Sequence, residues 1–190
     1  MDRNRVLKAL NRLGDVLADH GKHFELTCAG GIVSLLYFRS RDHIGDIDAI
    51  FPEPWEGLGV LKSSIKTVQD ELSLPDDWIN DSMMFFGVDT KSDNVIFNHP
   101  NLKLIAADWN ELLAHKLNAY RSDLDIKDAV LILKEANPPD KELFWNSVVE
   151  YKPITPKISL NEFRRRFDEV WNLVERLKGR LKQRHHATSG

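Results

Sequence analysis

The stretch Cys28–Phe51, CAGGIVSLLYFRSRDHIGDIDAIF, restricts how this chain can fold more than any other part of it. A glycine pair, Gly30-Gly31, runs straight into an apolar segment of helix length from Ile32 to Phe38. Fourteen residues separate Gly31 from Asp46, where Asp46-Ile47-Asp48-Ala49-Ile50-Phe51 alternates acidic and apolar side chains. Alternation at period two predicts a strand, with Asp46 and Asp48 on one face and Ile47 and Ala49 on the other. Two neighbouring carboxylates repel each other. A hard divalent cation such as Mg²⁺ or Mn²⁺ resolves the conflict, because it prefers carboxylate and phosphate oxygens. The glycines let backbone approach a phosphate closely, at the start of a helix whose N–H groups favour anions. The stretch therefore points to a nucleoside triphosphate and its metal.

Glycine pair, helix and hDhDh strand in this order resemble the signature of the nucleotidyltransferase (polymerase-β-like) superfamily. Within it the chain is similar to the minimal nucleotidyltransferases of toxin–antitoxin and abortive-infection systems. LPDDWIND at 74–81 and LLAHKLNAYRSDLDIKD at 112–128 match as well, so the resemblance covers most of residues 24–136. It implies an α+β protein of the nucleotidyltransferase fold, a small mixed sheet flanked by helices with a C-terminal helical part. It also implies that Asp46 and Asp48 hold a metal that bridges the triphosphate and helps activate an acceptor hydroxyl. The implied activity is Mg²⁺-dependent transfer of a nucleotidyl group from an NTP, with pyrophosphate leaving. RNA such as a tRNA end, a protein side chain and a small molecule such as an aminoglycoside remain open as acceptors.

Other residues have both a functional and a structural reading. Gly30 and Gly31 either cradle phosphate or simply turn the chain into a helix. Ser34 offers a hydroxyl three residues past the pair, although a helical serine ordinarily faces solvent. Lys116 falls inside the apolar face of its helix, between Leu112, Leu113 and Tyr120. A lysine there snorkels outward, pairs with an acid or meets an anion, and the resemblance makes that anion the triphosphate. Asp123 or Asp125 reads as a helix cap, with Arg121 in an inter-helix ion pair. Asn80 and Asp81 read as structure at the rim of the site, and Arg39 and Arg41 as solvated loop residues within reach of phosphate. Many members of the superfamily carry a third carboxylate on a later strand. Asp89 and Asp93 are the candidates here, in the turn-like DTKSDN segment, whereas the strand LKLIA carries no acid.

Along the chain, Val6, Leu10, Leu13 and Leu17 predict a helix over 3–20, capped by Asp2 and stopped by Gly21. Phe24–Thr27 reads as a strand, and Pro52 and Pro54 end the acidic strand. Leu61, Ile65, Val68 and Leu72 mark a helix that stops at Pro75. Asp76 or Asp77 is expected to cap a short helix bearing Trp78, followed by the crowded apolar Met83–Phe86. Two strands follow, around the turn 98–101. Then come helices at about 109–121, 126–136 and 142–149, and an extended 151–158. Ser159 and Glu162 form a capping-box pattern ahead of a heptad-like seam of Leu160, Phe163, Phe167, Val170, Val174, Leu177 and Leu181. That seam packs on the preceding helices or makes a homodimer. The divisions expected are a core over 1–106, a helical part over 107–183 and a disordered tail over 184–190.

Composition adds exclusions. A net charge of −3 argues against a large non-specific nucleic-acid surface, and a single cysteine leaves no intrachain disulfide and no Cys-based zinc site. No apolar run is long enough to span a membrane and no signal-peptide core opens the chain, so a cytoplasmic protein is expected. The seven histidines show no paired metal-ligand spacing, and His185-His186 falls in the tail. The rival to an enzyme is a non-catalytic module of the same fold that acts by binding a partner protein through the 159–181 helix.

Overall fold

The structure, a computed structural model, describes residues 1–51, 57–81, 92–120, 122–152 and 158–187, with side chains of the last helix described as far as Arg180. Pro52, Pro54, Met83–Phe86, Asp89, Arg121 and most of 151–158 lie outside the described residues, as do the side chains of Leu181, His185 and His186. The chain divides into two compact units, Met1–Asp108 and Trp109–Gly190.

The first unit is a five-stranded mixed sheet flanked by helices. It opens with α1 (Arg3–Asp19), where Asp2 caps the helix by accepting from Arg5 N–H. Val6, Leu10, Leu13 and Leu17 are fully buried on one side of α1, as their helical spacing requires. Then follow β1 (Phe24–Ala29), α2 (Gly31–Leu36), β2 (Ile47–Ile50), α3 (Leu58–Leu72), β3 (Ile79–Asn80), β4 (Val95–His99) and β5 (Leu102–Ala106). The strand order is β3-β2-β1-β5-β4. β1 is parallel to β5 and antiparallel to β2, while β2 is parallel to β3 and β4 antiparallel to β5. β1 is central and buries Leu26 and Cys28. α1 packs beside α3, and Arg12 on α1 reaches Glu71 on α3 through two contacts of 2.7 and 2.9 Å.

One element differs from expectation. Residues 76–78 form a turn instead of a capped helix. Trp78 is fully buried, its indole N–H donates to Ile65 O at 3.3 Å, and its own carbonyl accepts from Ile47 N–H at 2.9 Å. A backbone group spent on pairing with β2 is unavailable to a helix.

The second unit is helical: α4 (Trp109–Ala119), α5 (Asp123–Ala136), α6 (Lys141–Glu150) and α7 (Leu160–Ala187). α7 packs against α5 and α4. Phe163, Phe167, Val170 and Val174, the middle of the seam, are buried there, while Leu160 and Leu177 near its ends are exposed. Phe167 and Phe163 stack on Trp145 at 5.2 and 5.6 Å between centroids. The capping pattern at α7 forms on one side, with Glu162 N–H donating to Ser159 Oγ at 3.2 Å. The Glu162 carboxylate instead takes Arg165 and Arg166. Among the described residues no helix is long and apolar enough to cross a membrane.

Candidate active site

The site begins where β1 ends. Gly30 has φ 69° and ψ −141°, a backbone region that is essentially closed to side-chain-bearing residues. A Cβ at Gly30 would also meet Asp48 Oδ2 at 2.7 Å. The glycine is thus required both by backbone conformation and by the carboxylate that lies over it. Antiparallel register explains the approach, since Ala29 is the partner of Asp48 and Cys28 of Ala49.

Asp46 stands immediately before β2 and Asp48 within it, with the buried Ile47 between them. Asn80 on β3 is the parallel partner of Asp48, and its side-chain amide donates to Asp46 Oδ2 at 3.2 Å. One asparagine thus tethers the first aspartate beside the second. Asp46 is exposed and Asp48 half-buried, while Ile47 and Ala49 are fully buried on the opposite face. The same amide sits 3.4 Å from Asp77 O, so the LPDDWIND turn helps to hold the acidic pair.

Gly31 begins α2, and a Cβ there would meet Ile44 Cγ2 at 2.9 Å and Arg41 Nη1 at 3.9 Å. Arg41, read as a solvated loop residue within reach of phosphate, therefore places its guanidinium near Gly31. Its proximity depends on how the 39–44 loop folds back, which has no local sequence signal. Ser34 is 2% exposed, so this helical serine is buried rather than solvent-facing. Cys28 is also fully buried, and burial, followed by the nearby Asp48 charge, pushes its thiol well above the ordinary range.

Gly30, Gly31, Asp46 and Asp48 therefore come together in the first unit, joined by Asn80 and Arg41. Lys116 belongs to the second unit. There its ammonium lies 2.7 Å from Asp128 Oδ2 and 3.3 Å from Asp125 Oδ1, with side-chain exposures of 14% for the lysine and 3% and 8% for the acids. An inter-helix ion pair does join α4 to α5, then, and Lys116 makes it. Asp125 is an ion-pair partner rather than a cap, because Ser122 occupies the N-cap position of α5.

The donor set on the β2 face consists of hard oxygens, which suits Mg²⁺ or Mn²⁺. Among the described residues no group of three or more His, Cys, Asp and Glu is gathered for a metal. Asp93, one of the two acids considered as a third ligand, is exposed in the loop before β4. Comparison with known proteins returns no match at three levels: no family model, no curated protein and no solved structure matches this chain.

Proposed function

We propose that the protein is a cytoplasmic nucleotidyltransferase-fold enzyme that moves a nucleotidyl group from an NTP to an acceptor hydroxyl. The observation that carries this reading is the contact between Gly30 and Asp48, in which a side-chain-free backbone lies directly under a carboxylate. Such an arrangement sets backbone that carries no side chain beside an acidic pair, the combination that a metal-bound phosphate would use. Asp46 and Asp48 would hold Mg²⁺ or Mn²⁺, which supplies charge neutralisation on the triphosphate. The remaining ligands would be phosphate and water oxygens, consistent with a pair rather than a cage of protein acids. Asn80 fixes the orientation of Asp46, and the glycines expose backbone N–H groups to the phosphates. The acceptor hydroxyl oxygen bonds to the α-phosphorus as its proton passes to solvent, the α–β phosphoanhydride bond breaks, and pyrophosphate departs. Positioning and charge stabilisation are the main contributions asked of the protein in such chemistry. RNA, protein or a small molecule could present the hydroxyl.

The test is incubation of the full chain with labelled NTP, Mg²⁺ and total cellular RNA or lysate. Label should enter one acceptor class with the wild type and none with Asp46→Asn or Asp48→Asn. Equal labelling by all three proteins would rule the reading out.

A second reading, a non-catalytic module that binds a partner protein through α7, draws support from Leu160 and Leu177, which are 49% and 40% exposed. Because the middle of the seam is covered within the second unit, full-length protein should sediment as a concentration-independent monomer. Self-association lost on Leu160→Glu and Leu177→Glu would instead assign the exposed ends of the seam to a homodimer.

A further inference from the structure

The first unit has a concave surface that meets the proposed site only at Arg41. Asp2 and Arg3 at the start of α1, and Arg39, Arg41, Asp42 and His43 from the loop after α2, line a cleft of about 400 Å³. Its walls are fixed by backbone. Ile44 N–H donates to Met1 O at 2.9 Å, and Asp2 and His43 form an antiparallel bridge. At the other end of the loop, Ser40 N–H donates to Ser34 O at 2.9 Å. Between them Arg39 takes φ 53°, a left-handed conformation that arginine rarely adopts.

Positive charge on Arg3 and Arg39 is incompletely answered. Arg3, Arg39 and Arg41 face it together with Asp2 and Asp42, and Asp2 is engaged in capping α1 through Arg5 N–H at 2.8 Å. Arg3 Nε is buried with no hydrogen-bond partner. Among the described residues no ion pair joins Arg3 or Arg39 to an acid. Elsewhere in the chain arginines do find carboxylates, as Arg12 does on Glu71 at 2.7 Å and Arg164 on Glu142 at 2.6 Å. A buried donor without an acceptor carries a desolvation cost. The planar guanidinium fork matches phosphate oxygens better than a point charge does. Arg41 carries the cleft up to the glycine pair, with Nη1 3.9 Å from where a Gly31 Cβ would stand.

We propose that this cleft is a phosphate-binding site in which Arg3 and Arg39 donate to the oxygens of a phosphate group without a metal. The phosphate is either the polyphosphate of a nucleotide or the diester backbone of a nucleic acid, which present the same kind of oxyanion. Asp46 and Asp48 take no part, so the site stands or falls independently of the transferase reading.

Isothermal titration in EDTA tests it, with sodium tripolyphosphate and, separately, a single-stranded oligonucleotide lacking terminal phosphates. Wild type should bind at least one of them. Arg3→Gln and Arg39→Gln should each weaken that binding by about tenfold or more, while Arg176→Gln, which removes an exposed arginine of α7, should bind as wild type does. Arg39 is exposed, so its variant keeps the test open even if Arg3→Gln fails to fold. Binding of tripolyphosphate alone assigns the cleft to a polyphosphate, and binding of the oligonucleotide assigns it to a nucleic-acid strand. Binding of neither, or binding undiminished in Arg39→Gln, overturns the proposal.

Discussion

The imidazole of His99 on β4 occupies the space beside Gly14 of α1, so closely that a Cβ on Gly14 would stand 2.2 Å from the ring Nδ1. The ring is held at both nitrogens: Asn101 N–H donates to Nδ1 at 3.1 Å, and Nε2 faces Asp15 Oδ1 at 3.3 Å. It cannot swing away without breaking these contacts. Ala is favoured over Gly inside a helix by about 1 kcal/mol, yet here overpacking should win. Gly14→Ala is expected to destabilise the protein by about 1–3 kcal/mol, with most of the loss recovered in Gly14→Ala, His99→Ala. Denaturant midpoints of the single and double variants check this. A stabilised single variant would show that the ring moves freely.

The acidic pair has an opposite signature. Asp48→Asn and Asp46→Asn each relieve carboxylate repulsion in the metal-free protein, and Asn retains an oxygen that can accept from Asn80. Thermal midpoints without metal should therefore be unchanged or slightly raised. Wild type should gain stability when Mg²⁺ and NTP are added together, because ligands that bind only the native state stabilise it by mass action, and the variants should lack that gain. Destabilised variants beside an unresponsive wild type would make the two aspartates structural.

For Lys116 the structure changes what substitution is expected to do. Lys116→Met leaves Asp125 and Asp128, both nearly buried, without their shared cation. Breaking one side of such a buried cluster costs about 3–5 kcal/mol. Adding Asp128→Asn should return part of the loss. Chemical denaturation followed by Trp fluorescence measures both. Unaltered stability combined with weakened NTP binding would instead assign the lysine mainly to the ligand.

Acid should weaken α7 in a defined window. Hydrogen bonds from Arg165 and then Arg166 hold the Glu162 carboxyl down from 4.5 to about 2, and Arg164 lowers Glu142 in the same direction. A carboxylate depressed in the folded state contributes stability above its unfolded value, and that contribution is lost as pH falls through the folded one. The thermal midpoint should thus decline between 4.5 and about 2, with wild type and Glu162→Gln converging at the acid end. The difference should shrink in high salt, since Glu162 is only half-buried and Arg165 is exposed. Parallel pH curves for the two proteins would show that the arginine contacts contribute nothing.

Helical periodicity was enough to anticipate α1, α3, α5 and α6, because the residues that bury each helix lie three and four apart within it. Trp78 was misread for the converse reason. Asp76 and Asp77 imitate a helix cap locally, but the outcome is set by Ile65 and Ile47, more than ten residues away in sequence and adjacent only in the fold. The candidate site divides in the same way. Gly30, Asp46 and Asp48 stood out because backbone freedom and alternation are local properties. The nearness of Asn80 and Arg41 depends on strand order and on the return of a loop, which no short pattern encodes. Lys116 was visible as a cation on an apolar face, but not the pair of acids that receive it.

The solitary Cys28 makes the central strand its own reporter. Its sulfur is buried in β1, between β2 and β5, so a thiol reagent reaches it only when the structure around β1 opens. The rate of modification in native buffer therefore measures the opening frequency of the strand that leads into Gly30, with no engineered label. Anything that clasps β1 and β2 together will appear as slower chemistry at this sulfur, long before it is seen in a melting curve.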